Sequence, residues 1–309
     1  MTERSAPSVY LCIPTFRRPD GLRKLLTCVE RLNYPGAIRV VVVDNDGDGR
    51  DGAAAVERMA PTFGLPLTGI VEPRRGHTYA YNRAFQHACR ATPAPDYVAV
   101  LDDDEFPDPN WLTEMIRVAR ACDADIVGGP VFPVFDEPDH WLAKSGFYAP
   151  SRAATGPASM IYGAGNMLIR RGVLEQYLNE PFHHAFAFTG GSDYDFFWRC
   201  RNDGRSFAWA DDAKVFETMP PSRTTVGYIL RRKFRNGTEA TRLERKFFGS
   251  LAGALRRWCI GLGLLGLGIA SLPLAALRGR RAIVASLMRA ARGLGRIAAE
   301  FDLHYEQYR

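Results

Sequence analysis

Cysteine is scarce and dispersed in this 309-residue chain: six residues, with no Cys-x-x-Cys and no paired Cys/His spacing. A disulfide scaffold and a structural zinc site are therefore not expected, and the thiols read as reduced, which fits a cytoplasmic setting. No Gly-x-Gly-x-x-Gly follows the first apolar run, which argues against a dinucleotide-binding domain, and no phosphate-binding Gly-x-x-x-x-Gly-Lys-Ser/Thr loop occurs. The Gly-x-Ser-x-Gly elbow of many hydrolases is missing too. There is no internal repeat and no long low-complexity linker. No signal peptide is expected, because the run 9–13 is short and stops at Pro14. What remains is a chain 46% apolar and 24% charged, with 29 glycines and 20 prolines. That composition excludes a disordered or collagen-like protein and leaves one large or two modest globular domains.

Charge is unevenly spread. The net charge is +6, yet from Pro221 onward 17 Lys/Arg face five Asp/Glu, which leaves 23 against 29 for residues 1–220. An acidic body with a basic tail implies an oxygen-lined site plus an anion-facing surface.

Five short runs rich in β-branched or aromatic residues read as buried strands: 9–13, 38–43, 67–71, 97–101 and 126–131. Helical patterns lie between them at 19–32, 53–59, 78–91 and 109–122. In the first, Leu22, Leu25, Leu26, Val29 and Leu32 recur at helical spacing. Alternation of this kind predicts right-handed βαβ units and a mostly parallel sheet covered on both faces. Residues 130–150 read as irregular. A strand at 167–169, helices at 171–178 and 193–202, and a helix at 225–236 stopped by Gly237 complete the body.

The stretch 258–277 carries no charge and is flanked by arginines. At ~1.5 Å per residue it reaches ~30 Å, about one bilayer core. Beyond it, Arg281, Arg289, Arg292 and Arg296 gather on one helical arc, with Ile283, Leu287, Leu294, Ile297 and Phe301 opposite. A helix lying in a membrane interface has this pattern, as does a hairpin packed on a soluble domain. The basic residues alternate with apolar ones and not with exposed aromatics, so nucleic acid is not expected as a partner.

In open parallel sheets, ligands bind beyond the carboxyl ends of the strands. The residues there form a set: Pro14-Thr15-Phe16-Arg17-Arg18, Asp44-Asn45-Asp46, Glu72-Pro73-Arg74-Arg75 and Asp102-Asp103-Asp104-Glu105. Four consecutive acids repel one another unless a cation is present, and oxygen ligands favour Mg²⁺ or Mn²⁺. Arginines such as Arg75 can meet phosphates directly. The set has the layout of a metal-held nucleoside diphosphate site. Gly163–Asn166 reads either as a Gly-rich turn or as a backbone approach to sugar or acceptor, through Gly165 and Asn166. His183 and His184 read as a solvated loop pair, and Trp141, Trp198 and Trp209 as core.

The series IPTFRRP (13–19), VVVDND (41–46), LDDDEFPDPNWL (101–112), GAGNMLIRR (163–171), TGGSDYDFFWR (189–199) and ILRRKFRNG (229–237) resembles the family 2 glycosyltransferases of GT-A fold, from about residue 9 to 237. It is especially similar to bacterial exopolysaccharide glucosyltransferases of the succinoglycan type. The resemblance implies an α/β GT-A catalytic domain at 1–240 and a helical, membrane-associating region at 241–309. Pro14, Thr15 and Arg17 match the motif lining the nucleotide pocket. Asp44 matches the acid set against the base, which favours a uridine nucleotide. Asp102 matches the ribose-side acid and Asp104 the metal ligand, with Asp103 between them on the nucleotide-sugar. Asp193 matches the catalytic base, and Arg231, Arg232 and Arg235 the cluster closing over the diphosphate. Ser192 stands where many relatives have an acceptor-binding Glu, and Phe216 where many have His.

Inverting transfer from a nucleotide-sugar to a lipid-linked saccharide, at the cytoplasmic face of the membrane, is the activity implied. Polyprenyl-phosphate glycosylation is the nearest alternative, and an inactive membrane scaffold a more distant one.

Overall fold

The computed structural model describes residues 6–303. The last six positions of the expected 241–309 region lie outside the described residues. The chain opens by alternating β1 (Val9–Thr15), α1 (Pro19–Val29), β2 (Ile38–Asp44), α2 (Asp51–Met59), β3 (Leu67–Val71), α3 (His77–Arg90) and β4 (Tyr97–Val100). Next come β5 (Glu105–Pro107), α4 (Trp111–Ala121), β6 (Ile126–Gly128), β7 (Val131–Phe135) and β8 (Gly156–Ala158). They are followed by β9 (Met167–Arg170), α5 (Arg171–Gln176), α6 (Ser192–Asn202), β10 (Phe207–Trp209) and β11 (Val215–Met219). Four helices close the chain: α7 (Val226–Phe247), α8 (Leu251–Ala270), α9 (Leu272–Arg278) and α10 (Arg280–Glu300).

Two compact units emerge. One comprises Met1–Val134, Ala149–Ala187 and Ser192–Thr218; the other comprises Phe135–Tyr148, Phe188–Gly191 and Met219–Arg309. The expected boundary at residue 240 falls inside α7.

In the first unit an eight-stranded sheet runs β3-β2-β1-β4-β9-β6-β10-β8. Neighbours are parallel from β3 through β4 and again at β6 and β10. β9 lies antiparallel to both β4 and β6, and β8 antiparallel to β10. Strand alternation sends two apolar sets to opposite faces. Leu11, Ile13, Val40, Val42, Ala99 and Leu101 pack with Leu22, Leu25 and Leu26 of α1 and Trp111, Leu112 and Met115 of α4. Tyr10, Cys12, Val41, Val43, Val98 and Val100 pack with Ala84 and Phe85 of α3 and Phe196 and Phe197 of α6. Each fully buried side chain of this size stabilises by about 1.5–3 kcal/mol, so the sheet is held from both sides.

The run 126–131, read above as one strand, is two. It breaks at Gly129-Pro130, because proline offers no N–H to a ladder. β6 stays in the large sheet, while β7 joins β11 and β5 in a separate three-stranded sheet.

In the second unit α7 does not stop at Gly237. That glycine is buried inside the helix, and a Cβ there would sit 2.3 Å from the Arg292 carbonyl oxygen of α10. Gly295 is the reciprocal position, where a Cβ would sit 2.0 Å from the Phe234 carbonyl oxygen. Backbone contact of α7 with α10 is what both positions require. Gly295→Ala is expected to lower the stability of this unit by ~1–3 kcal/mol through overpacking. An unchanged thermal melt would contradict that contact. The arginine arc read on α10 is also interrupted: Arg296 is buried and pairs with Glu244 of α7 at 2.9 Å, while Arg281, Arg289 and Arg292 are exposed.

Candidate active site

Register brings the strand ends level. Thr15 pairs with Asp44, Asp44 with Val71, and Cys12 with Val100. The segments after β1, β2, β3 and β4 therefore share one edge of the large sheet. Thr15 Oγ1 donates to Asp103 Oδ2 at 2.8 Å, and the Phe16 N–H reaches the same oxygen at 3.2 Å. Arg18 Nη1 bridges Asp103 at 2.9 Å and Asp104 at 2.7 Å. Arg17, with a left-handed φ of 55°, turns to ion-pair with Asp46 at 2.8 Å. Arg17 and Arg75 both lie over the Phe16 ring, at 4.9 and 5.4 Å. Pro14 is the penultimate residue of β1.

Asp44 is buried. Its two oxygens accept the backbone N–H groups of Asp46 at 3.0 Å and Ala53 at 2.9 Å, which anchors the start of α2. Each oxygen keeps a second lone pair for a ligand donor. Asn45, between the two acids, has a role that the sequence pattern does not assign. Its amide donates to the Glu72 and Arg74 carbonyls and accepts the Gly76 N–H, which fixes the loop carrying Arg74 and Arg75.

Acids accumulate after β4. Glu105 pairs in register with Glu217 of β11, and Glu105 Oε2 accepts the Asp102 N–H at 2.9 Å. Desolvation and then repulsion from Asp104 push the Asp102 carboxyl up to about 7. Burial, followed by repulsion from Asp102, pushes Glu105 well above its usual range, and burial also raises Asp103. These shifts mark carboxyls that are buried first and crowded by one another second, an environment whose ionised form a divalent cation would favour. Among the described residues no three acids or histidines are already set as a cation cage. The donor set therefore fits Mg²⁺ or Mn²⁺ held by one or two carboxylates plus ligand phosphates, and not a closed protein site.

A free Asp titrates near ~3.9, so a folded value near 7 means the native protein binds the proton more tightly and loses stability as pH rises between the two. Mn²⁺ favours the ionised cluster. It is expected to raise the melting temperature more at about pH 8 than at about pH 5.5. An equal or larger rise at the lower pH would contradict the cluster's role.

α3 joins these acids to α6. The Tyr81 hydroxyl donates to Asp102 Oδ1. One turn earlier, the His77 ring stands edge-on to Tyr81, with centroids 6.3 Å apart. His77 Nδ1 lies 3.0 Å from the Ala187 carbonyl, which can only accept, so Nδ1 carries the proton. In the neutral ring Nε2 then accepts from the Ser192 hydroxyl at 2.9 Å. Ser192 is buried and opens α6; Asp193, half-buried, follows it in the first turn. Asp195 is fully buried against Arg199 at 3.1 Å and His183 at 3.6 Å, as a brace. The histidine pair is not a solvated loop: His183 also meets Glu180, and His184 stacks on Tyr79 at 4.0 Å.

Gly165 abuts the acids directly, since a Cβ there would sit 2.2 Å from Glu105 Oε1. Asn166 is buried. Its amide donates to the Pro130 and Ala213 carbonyls and accepts from the Trp111 indole N–H at 2.7 Å, so it ties the loop into the core. Of the expected tryptophans, Trp209 is core and Trp198 is half-buried against Tyr194. In the second unit, Arg231 and Arg232 are exposed on α7, and Arg235 pairs with Glu239 at 3.0 Å.

A strand-edge site on a mostly parallel sheet of this order is that of an α/β ligand-binding domain, and comparison with known proteins gives its class. The family model described as Glycosyl transferase family 2 matches residues 10–178, and that described as Glycosyl transferase family group 2 matches residues 97–291. The chain belongs to the family 2 glycosyltransferases, and it is a glycosyltransferase of GT-A fold.

The succinoglycan biosynthesis protein ExoM of Rhizobium meliloti is 30% identical over 88% of each chain. The glycosyltransferase AglE of Haloferax volcanii is 25% identical over 75% of this chain and 72% of its own. Among solved structures, the mannosyltransferase PcManGT from Pyrobaculum calidifontis, in complex with GDP-Man and Mn²⁺, superposes with a TM-score of 0.63 at 21% identity, covering 96% of this chain and 88% of its own. TarS residues 1–349 of S. aureus, in complex with UDP, gives 0.53 at 14% identity, covering 98% and 97%.

Proposed function

We propose that this enzyme transfers a sugar, with inversion, from a UDP-sugar to a lipid-linked saccharide in exopolysaccharide or cell-surface polysaccharide synthesis, at the cytoplasmic face of the membrane. The observation that carries the reading is the run of contacts along α3. Tyr81 and His77, one turn apart, hold Asp102 of the acid cluster and Ser192 at the head of the base-bearing helix. The relatives support the substrate classes: ExoM is named for succinoglycan biosynthesis, and the two solved neighbours carry GDP-Man with Mn²⁺ and UDP.

Pro14, Thr15, Arg17, Asp44, Asp102 and Asp103 take the nucleotide-sugar, with Asp44 accepting from the base. Asp104 is the ligand for Mg²⁺ or Mn²⁺, which supplies charge neutralisation on the leaving diphosphate when bound. Arg75 and the α7 arginines Arg231, Arg232 and Arg235 add positive charge for the same phosphates. Asp193 accepts the proton of the acceptor hydroxyl as its oxygen bonds to the anomeric carbon. The bond from that carbon to the diphosphate oxygen breaks on the opposite side, and the nucleoside diphosphate departs. Ser192 and the Gly165 backbone flank the acceptor, with Asn166 bracing that loop from within. The C-terminal region holds the enzyme to the membrane surface.

His77 is a positioning residue. His77→Ala is expected to lower kcat for transfer by roughly tenfold, the loss of one oriented hydrogen bond, while donor KM stays level. His77→Gln, whose amide offers one donor and one acceptor, should restore most of it. Equal loss in both variants would remove His77 from the account. The whole reading is tested by incubating purified enzyme with a panel of nucleotide-sugars and Mn²⁺, with and without lipid-linked acceptor. Acceptor-dependent release of UDP is expected. Release that needs only polyprenyl phosphate would identify the rival activity, and no turnover with any donor would overturn the proposal.

A further inference from the structure

The C-terminal helices carry the largest unpartnered apolar surface among the described residues. α8 is long and apolar enough, by length and composition, to cross a bilayer, and little of it is buried. Leu255, Leu262 and Ile269, seven residues apart on one face, are each more than half exposed; Leu251, Leu274 and Leu277 extend the surface.

The opposite face of α8 is sealed by α10. Arg257 Nε meets Glu300 at 2.7 Å, Gly261 faces Arg296 and Ile297, and Gly268 faces Ala290. Gly293 faces Leu265, and Ser271 bonds Ser286 at 2.8 Å.

This register decides between two placements. Arg289 and Arg292 adjoin Ala290 and Gly293 in sequence, so they stand at the height of Leu265 to Gly268. Both are exposed. The charge-free part of α8 runs only over 258–270, about 20 Å against the ~30 Å of a hydrocarbon core. A crossing helix of full width would therefore carry Arg256 and Arg257 at one end and draw Arg289 and Arg292 into the hydrocarbon beside its middle, a costly arrangement. Laid parallel to the surface, the leucine face sinks among the acyl chains while the long arginine side chains reach the headgroups.

We propose that α8 and α9 form an in-plane anchor seated in one leaflet of an anionic bilayer, and that the hairpin of α8 and α10 does not cross it. The exposed leucines supply the apolar contact. Arg278, Arg280, Arg281, Arg289 and Arg292, all exposed, supply complementarity to anionic headgroups. The proposal deepens, and rests on, the reading that this region associates with membranes.

Two measurements on the full chain test it. First, purified protein is sedimented with vesicles of phosphatidylcholine plus phosphatidylglycerol and with vesicles of phosphatidylcholine alone. Binding at least about tenfold tighter to the anionic vesicles is expected, lost when Leu262→Glu and Ile269→Glu are combined and unchanged circular dichroism shows the fold retained. Second, Arg278→Cys in a background with Cys28, Cys89, Cys122 and Cys259 replaced by Ser is expressed in bacteria and exposed to a membrane-impermeant maleimide. Labelling is expected in inverted membrane vesicles and not in intact spheroplasts.

Sedimentation with neither vesicle would overturn membrane association itself. Sedimentation together with labelling of intact spheroplasts would overturn the one-leaflet placement and leave association standing. A protein that ignores vesicles but dimerises in solution, with the dimer abolished by Leu262→Glu, would assign the face to a second copy of the chain and overturn the lipid proposal.

Discussion

Asp193→Asn is expected to bind the nucleotide-sugar as tightly as the wild type and to transfer sugar about 10²–10⁴-fold more slowly. The substitution keeps the shape of the side chain and removes only its capacity to accept a proton, so the loss belongs to kcat. Position supports the assignment: Asp193 is half-buried in the first turn of α6, directly after the buried Ser192. Two residues on, Asp195 is the natural control. It is buried against the half-buried Arg199 and His183, and losing its charge leaves that guanidinium without its carboxylate partner. Asp195→Asn should therefore fail by destabilising the fold, by an amount on the order of 1–3 kcal/mol. Stopped-flow transfer and donor-binding calorimetry separate the two. Wild-type turnover by Asp193→Asn would end the base assignment.

Asp104→Ala is expected to abolish the dependence of donor affinity on Mn²⁺ and to cost about 10²–10³-fold in kcat/KM, the usual scale for removing one preorganised stabiliser of developing charge. The local fold should survive, because Arg18 keeps its second partner Asp103, which Thr15 also holds. Removing one acid also eases the repulsion that raises Asp102, so the variant should be at least as stable as the wild type without metal. Calorimetry with UDP in the presence and absence of Mn²⁺ reads the effect. A cation dependence equal to that of the wild type would remove Asp104 from the metal site.

Much of this architecture is legible in the sequence because the signals are local. The runs that became β1 to β4 are short and bounded by turn residues, and a parallel reading places the segments after them on one edge. Thr15, Asp44 and the acids after β4 are legible for that reason. What the sequence conceals depends on distant partners. The antiparallel course of β9 between β4 and β6 follows from the path of the chain, and nothing in Met-Leu-Ile-Arg encodes direction.

Gly237 carries the mark of a helix end. Its reason is the backbone of Arg292, 55 residues away in sequence, so α7 runs on through it. Arg296 looks like a member of a basic face until Glu244 of α7 is placed against it. His77 is one histidine at a helix start; only the fold brings Ser192 to its Nε2 atom. Asn45 and Asn166 are hidden in the same way, because an amide that braces a loop has no sequence period. The exposed leucine face of α8 is legible as apolarity. Its relation to Arg289 and Arg292, which decides how it can meet a bilayer, appears only once α8 and α10 are paired.

In the proposed reaction, acids far apart in the chain act together, with Asp104 on the cation side and Asp193 on the acceptor side. A crystal structure of the enzyme with UDP-sugar and Mn²⁺ measures this directly. An anomalous manganese peak beside Asp104 and the diphosphate is expected, with the Asp193 carboxylate facing the anomeric carbon from the side opposite the leaving group. A manganese ion bound away from Asp104, or an Asp193 side chain turned from the sugar, would contradict it.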